Sequence, residues 1–410
     1  MKSLITFLLA GLTGLLEPSS VRQTTVSDAN FVGATPRLTT DAAGNPLLSW
    51  VEKQDDKHAS FCFAVMNSNS GSGTGPAFGP KIRVKTPVSF SVHAEGMPKI
   101  ATKKDGTLLA VFEVPRPTPD SRFAGDLLYV LSTNGGRTWT EPRPVHQNTA
   151  PGTSHSFADI TRLPNGEIGI VWLDEKMPGK EGRPVKFMQT KPGGGFTDEL
   201  IVDENACQCC RTNVFVDAQQ RIHLTYRDML PAKPGEIAAR DISHVVSSDG
   251  GRTFTQPKAV YADNWQVNAC PHAGPSVAQV GSDVLVTWFS GKEEAVGLRL
   301  ARLGTKQLVA DHLSARARHP QVAAAGEKLV WVWDEAISTD GSNQMGTFKH
   351  RIGMQSFVGL KSGPIKYLTP ETVNATYPAV LFTRHGLLIA YEQVTGEQKA
   401  VITVQLSEIQ

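Results

Sequence analysis

Four of the chain's five cysteines fall in two short runs, Cys207-Gln208-Cys209-Cys210-Arg211 and Cys270-Pro271-His272. Thiolate and imidazole together are the donor set that copper and zinc prefer, and these runs supply three or four ligands to one ion. With His155 added, the candidate ligands are Cys207, Cys209, Cys210, Cys270, His155 and His272. Donors this soft point to copper ahead of zinc, and away from magnesium and calcium, which take oxygen ligands. The same thiols have a second chemistry. In an oxidising compartment Cys207 or Cys210 could bridge to Cys270, and Cys209 with Cys210 could close a strained vicinal pair. Both readings stay open on the sequence. Cys62 lies in an apolar stretch and reads as a buried free thiol. Arg211, Arg318 and His319 form a further set, because guanidiniums at a cavity mouth grip a carboxylate or another anion bidentately.

Residues so far apart in sequence converge only if a repeated scaffold carries them, and one pattern does recur. A short strand, often opened by proline, is followed by a Gly or Asp turn and a second apolar strand. Taking the residue at the proline position, the copies fall at Pro36, Pro98, Ala158, Asn213, Pro275, Pro320 and Pro378. Each interval, roughly 45–62 residues, has room for two more strands, and four strands per repeat is the signature of a propeller blade. The expected fold is therefore all-β: a single β-propeller of four-stranded blades, seven by count, with six as the fallback. Residues 21–26 are expected to supply the fourth strand of the last blade and close the ring. Trp50, Trp172, Trp288, Trp331 and Trp333 alternate in second strands and are expected between blades rather than in a sugar platform.

In such a fold the residues just before each inner strand face the central funnel, the usual ligand site. His155, Cys210 and His272 each stand three residues before the proline position, and Arg211 and Arg318 stand two before it. His93 and Glu95 occupy the corresponding stretch of the second repeat.

The 410 residues carry 41 Lys and Arg against 39 Asp and Glu, for a net charge of +2. Spread along the chain, this balance leaves no basic face for nucleic acid. Met1-Lys2-Ser3 followed by the apolar residues 4–16 reads as a signal peptide over residues 1–20, ahead of a propeller domain over 21–410. Export to the periplasm or beyond follows, with no membrane span elsewhere.

Two further segments, Ser132-Thr133-Asn134-Gly135-Gly136-Arg137-Thr138-Trp139 and Ser247-Ser248-Asp249-Gly250-Gly251-Arg252-Thr253-Phe254, match the pattern S-x-D-x-G-x-T-W with Asn for Asp and Phe for Trp. On these residues the chain resembles the Asp-box (BNR-repeat) sialidase-like β-propellers. In that family the Asp box is a structural turn away from the active site. The resemblance also implies an arginine triad for a substrate carboxylate, here Arg37, Arg227 and Arg318, with Tyr377 and Glu204 as the nucleophilic pair. The match is incomplete: the family's R-I-P order becomes Pro36-Arg37-Leu38, and Arg211-Thr212 stands where a glutamate is expected. Three readings follow. The first is a secreted propeller with a Cys/His/Arg ligand site in its funnel, a copper or redox centre taking a small-molecule or glycan ligand. The second is an exo-sialidase type of carbohydrate-active enzyme, and the third a non-catalytic interaction module.

Overall fold

A computed structural model describes residues 21–407 apart from 56, 68–76, 88, 234, 339–347 and 397. The expected signal peptide lies outside the described residues. Apolar strands broken by glycine and aspartate turns pair into seven antiparallel sheets. Their inner strands are Val32–Thr40, Lys99–Thr102, Ser156–Arg162, Asn213–Val216, Ser276–Val280, Ala317–Ala325 and Asn374–Thr383, which define blades one to seven. In blade one the outermost strand is split into Ala77–Phe78 and Ile82–Arg83, both paired with Ala59–Asn67. Blade seven takes its fourth strand from the chain start, with Val21 opposite Leu406 and Thr25 opposite Ile402. Both the count of seven and the closure match the repeat pattern. Among the described residues helix is confined to one 3-10 turn, Glu293–Ala295.

A twisted four-stranded sheet cannot cover both of its own faces, so each blade buries one against its neighbour. An apolar cluster accordingly sits at each of the seven junctions. The five tryptophans expected there are all buried. At ~25 cal/mol per Å² each indole contributes about 4 kcal/mol of burial.

The inner strands share a local device. The residue before the proline position is left-handed in four blades, with φ of 52° at Thr35, 58° at Phe157, 51° at His319 and 54° at Tyr377. At each of these points the pairing register shifts by a bulge. Bulges re-aim a strand end, and these turn amide groups toward the preceding blade. There a carboxylate at the end of the second strand receives them. Glu113 Oε1 accepts from Phe157 N at 2.5 Å, Asp334 Oδ2 from Tyr377 N at 2.7 Å, and Glu392 Oε1 from Thr35 N at 2.7 Å. In blade four the same strand position holds Arg227.

Candidate thiolate and imidazole centre

Three loops, all leading into inner strands, build the site. Residues 207–212 join the outer strand of blade three, Leu200–Ala206, to blade four; residues 270–275 lead into blade five; residues 93–98 lead into blade two. Glu95 binds the three together. Its buried carboxylate accepts from Arg211 N at 3.1 Å, from Arg211 Nη1 at 2.6 Å and from Gly274 N at 2.7 Å. One side chain of blade two thus anchors the residue after Cys210 and the peptide two residues after His272. Burying that carboxylate is tolerable because every approach to it is a donor, and the Arg211 charge helps hold its pKa down against burial.

The cysteines converge. Cys207, Cys209 and Cys210 have their sulfurs within 4.8 Å of one another, and Cys209, Cys270 and His272 form a second such group. Cys207 Sγ and Cys209 Sγ are 3.9 Å apart. That is close to the roughly 3.8 Å between two sulfurs on one tetrahedral ion and far from the ~2.0 Å of a disulfide. All five cysteines are free thiols, so none of the bridges considered from the sequence is formed here. Cys62 is buried, as expected. Cys207, Cys209 and Cys210 are also buried, whereas Cys270 is exposed. Met229 packs against the three buried thiols.

Charge at the cluster favours one thiolate. Hydrogen bonds from the Cys209 and Cys210 thiols, followed by the Arg240 charge, hold Cys207 far below the usual thiol range. Arg240 Nη1 donates directly to Cys207 Sγ at 3.1 Å. Cys209 is pushed up by its hydrogen bond to Cys207, and burial pushes Cys210 up to about 12. One thiolate shared with two thiols is the arrangement expected of metal ligands that lose further protons only as an ion arrives. Ala273 N donates to Cys210 Sγ at 3.4 Å, which fixes the third sulfur.

His272 joins with a left-handed backbone, φ 49°, and its Nδ1 stands 3.0 Å from His93 Nε2. His155, expected among the ligands, is held elsewhere. Its Nδ1 meets Asp174 Oδ2 at 3.1 Å, its Nε2 meets Thr153 Oγ1 at 3.1 Å, and its ring stacks on His146 at 3.5 Å. Both nitrogens are therefore engaged. Beside the cluster lies a cavity of ≈ 680 Å³ lined by His93, Glu113, Phe157, Arg183, Cys209 and His272, among others.

The residues that the sialidase resemblance assigns to a substrate are mostly engaged within the protein. Arg227 spends its guanidinium on main-chain carbonyls: Arg240 O at 2.5 Å, Phe289 O at 2.7 Å and Ala273 O at 2.9 Å. Arg318 bonds Ala315 O and Ala317 O, both at 2.8 Å, and lies over the Phe289 ring. Arg37 pairs with Asp159 at 3.0 Å. Glu204 is 55% exposed on an outer strand and pairs with Lys180. Tyr377 sits at the bulge of the inner strand Asn374–Thr383, against the His319 ring, and burial pushes its hydroxyl up to about 12. Arg37, Arg211, His319 and Tyr377 do share a central channel cavity of ≈ 190 Å³, together with Lys99 and Asp159. Burial lowers Lys99 to about 8 there.

His93, Glu95, Met229 and Arg240 are the site residues that sequence reasoning left out or set aside. Only the first two carried a signal, their place before the second inner strand.

Residues 79–270 match the family described as BNR repeat-like domain. A sialidase of Micromonospora viridifaciens is 24% identical over 256 residues, 61% of this chain and 35% of that protein, so the chain spans about a third of that relative's length. An ulvan lyase bound to GlcA(1-4)Rha3S superposes with a TM-score of 0.57 at 10% identity, covering 94% of this chain and 96% of that one. An intramolecular trans-sialidase from Ruminococcus gnavus gives 0.51 at 9% identity, covering 94% and 98%. A protein of unknown function from Dyadobacter fermentans gives 0.50 at 13% identity, covering 95% and 100%. At these identities the likeness is one of fold.

Proposed function

We propose that this BNR-repeat, sialidase-like propeller is an exported protein that holds copper, as Cu(I), on Cys207, Cys209, Cys210, Cys270 and His272. The observation that carries the reading is the convergence of four thiols and an imidazole in two groups within 4.8 Å that share Cys209, with Arg240 donating to Cys207 Sγ. Sulfur-rich sites of low coordination number suit Cu(I) better than harder ions. The adjacent ≈ 680 Å³ cavity gives a small-molecule ligand, a glycan among them, room beside the ion. A sialidase reading has less support. Arg227 can grip a substrate carboxylate only by abandoning the main-chain carbonyls of Arg240, Ala273 and Phe289, and exchanging one hydrogen bond for another yields little binding energy.

Metal analysis of the full chain, purified from the compartment to which it is exported, tests the reading. Copper should copurify, and Cys207, Cys209, Cys210 and Cys270 should resist a thiol reagent until a Cu(I) chelator strips the ion. Chain that retains no copper on reconstitution, with these thiols oxidised, would overturn it. Turnover of a fluorogenic sialoside lost in Tyr377→Phe would favour the carbohydrate-active alternative.

A further inference from the structure

The five donors do not form one cage. Cys207, Cys209 and Cys210 make one set within 4.8 Å, Cys209, Cys270 and His272 make the other, and the sets meet only in Cys209. An ion about 2.3 Å from sulfur and ~2.0 Å from imidazole nitrogen cannot serve donors much more than about 4.6 Å apart. Each set by itself lies within 4.8 Å, close to that limit. The sets also differ in access, since the three sulfurs of the first are buried while Cys270 is exposed.

We infer that the chain takes two Cu(I) ions that share Cys209, an inner one on Cys207, Cys209 and Cys210 and an outer one on Cys209, Cys270 and His272. The outer site is the door through which the inner one fills and empties. This rests on the soft-metal reading above and goes beyond it by assigning stoichiometry and route. A thiolate sulfur keeps lone pairs after binding one ion, so Cys209 can hold both. Charge supports the pair. Four thiolates with two Cu(I) ions leave two negative charges, and two guanidiniums stand by: Arg240 on Cys207 at 3.1 Å, and buried Arg183, which bonds Gln208 O at 3.4 Å next to Cys209.

Loading is ligand exchange and needs no oxidant. A Cu(I) ion carried by a thiol or thioether donor forms its bond to the Cys270 sulfur and to His272 as the bonds to the carrier break. It moves inward when bonds to Cys207 and Cys210 replace those to Cys270 and His272, with Cys209 holding it throughout. Each thiol releases its proton to solvent on becoming a ligand, and no electron changes hands. The Cys209–Cys270–His272 face lies on the ≈ 680 Å³ cavity, which leaves space for the carrier's donor atom.

Anaerobic titration of the reduced full chain with Cu(I), against a chromophoric Cu(I) chelator, tests this. Wild type should take up two equivalents. Cys270→Ser and His272→Ala should each retain one, and give it up to the chelator about tenfold more slowly than wild type gives up its own. Cys210→Ser should also retain one, at the outer set, exchanging fast. Cys209→Ser should hold neither tightly. Melting curves of each variant separate lost ligands from lost fold, and the wild-type stoichiometry decides even if a variant fails to fold. Saturation of wild type at one equivalent overturns the two-ion assignment and leaves the copper reading standing. Release from Cys270→Ser as fast as from wild type overturns the door. No tight binding by wild type removes both proposals together.

Discussion

Two kinds of blade junction can be set side by side. Between blades two and three, six and seven, and seven and one, a carboxylate at the end of one blade's second strand accepts a main-chain amide of the next. Between blades four and five the polarity is reversed: Arg227 occupies that strand position and donates to the carbonyls of Ala273 and Phe289. The reversal has two effects on the proposed copper site. Arg227 takes the Ala273 carbonyl, which leaves the N–H of the same peptide, Gly274 N, to Glu95, while Ala273's own N–H donates to Cys210 Sγ. A guanidinium here also adds to the forces that lower Cys207, whereas a carboxylate would raise it. Where the repeat is obeyed the latch only joins blades, and where it is broken the latch also tunes a thiolate.

The harshest way to break this comparison is Arg227→Met. It leaves the carbonyls of Ala273, Arg240 and Phe289 without their donor in a buried junction, at about 4 kcal/mol by urea unfolding. Glu392→Gln, which keeps an acceptor for Thr35 N, should cost about 1 kcal/mol. Equal losses from the two would mean that Arg227 is an ordinary latch. A smaller effect is expected at Glu95. Glu95→Gln keeps the fold but loosens the pairing with Arg211, costing about 2 kcal/mol, and lets the two cysteine loops drift. Cu(I) affinity should fall about tenfold. Unchanged affinity would show that Glu95 positions nothing at the centre.

The frame was legible because its signals are local and repeated. A proline-headed strand followed by an apolar one marks each blade, and the Asp-box turns need only their own residues. Ser247 Oγ takes Gly251 N at 2.8 Å, Asp249 takes Thr253 N at 3.0 Å, and Trp139 Nε1 reaches Gly136 O at 3.0 Å. The cysteines were legible for a related reason, since register before the inner strand sets the direction in which a residue faces. Direction is not reach. His155 shares the register of Cys210 and His272, yet the Asp174 carboxylate and the His146 ring capture it first. Arg240 and Met229 come from strand ends and loops with no spacing signal, and only packing brings them to Cys207. The arginines suggested by family likeness are harder to read from sequence because Arg has two common uses. Which one applies depends on nearby carbonyls that a sequence does not reveal.

The finest distinction lies among the carboxylate latches. Burial pushes the Glu113 carboxyl from 4.5 up to about 7, against the opposing pull of the Phe157 amide and Lys99. A folded-state pKa above the unfolded one means that the native chain holds this proton more tightly. Its contribution therefore favours folding most below about pH 4.5 and declines as pH rises toward 7, after which it is constant. Wild type should lose on the order of 2 kcal/mol of stability from this group across that window, measured as a falling urea midpoint. Glu113→Gln, neutral throughout, should remove that share of the slope. Asp228, which burial likewise raises to about 7, keeps its own share in both proteins, so the difference between the two curves isolates Glu113. Parallel curves would mean that the latch beside the ≈ 680 Å³ cavity ionises as freely as an exposed glutamate. The amide of Phe157 would then be gripped by a full charge at every pH at which the protein works.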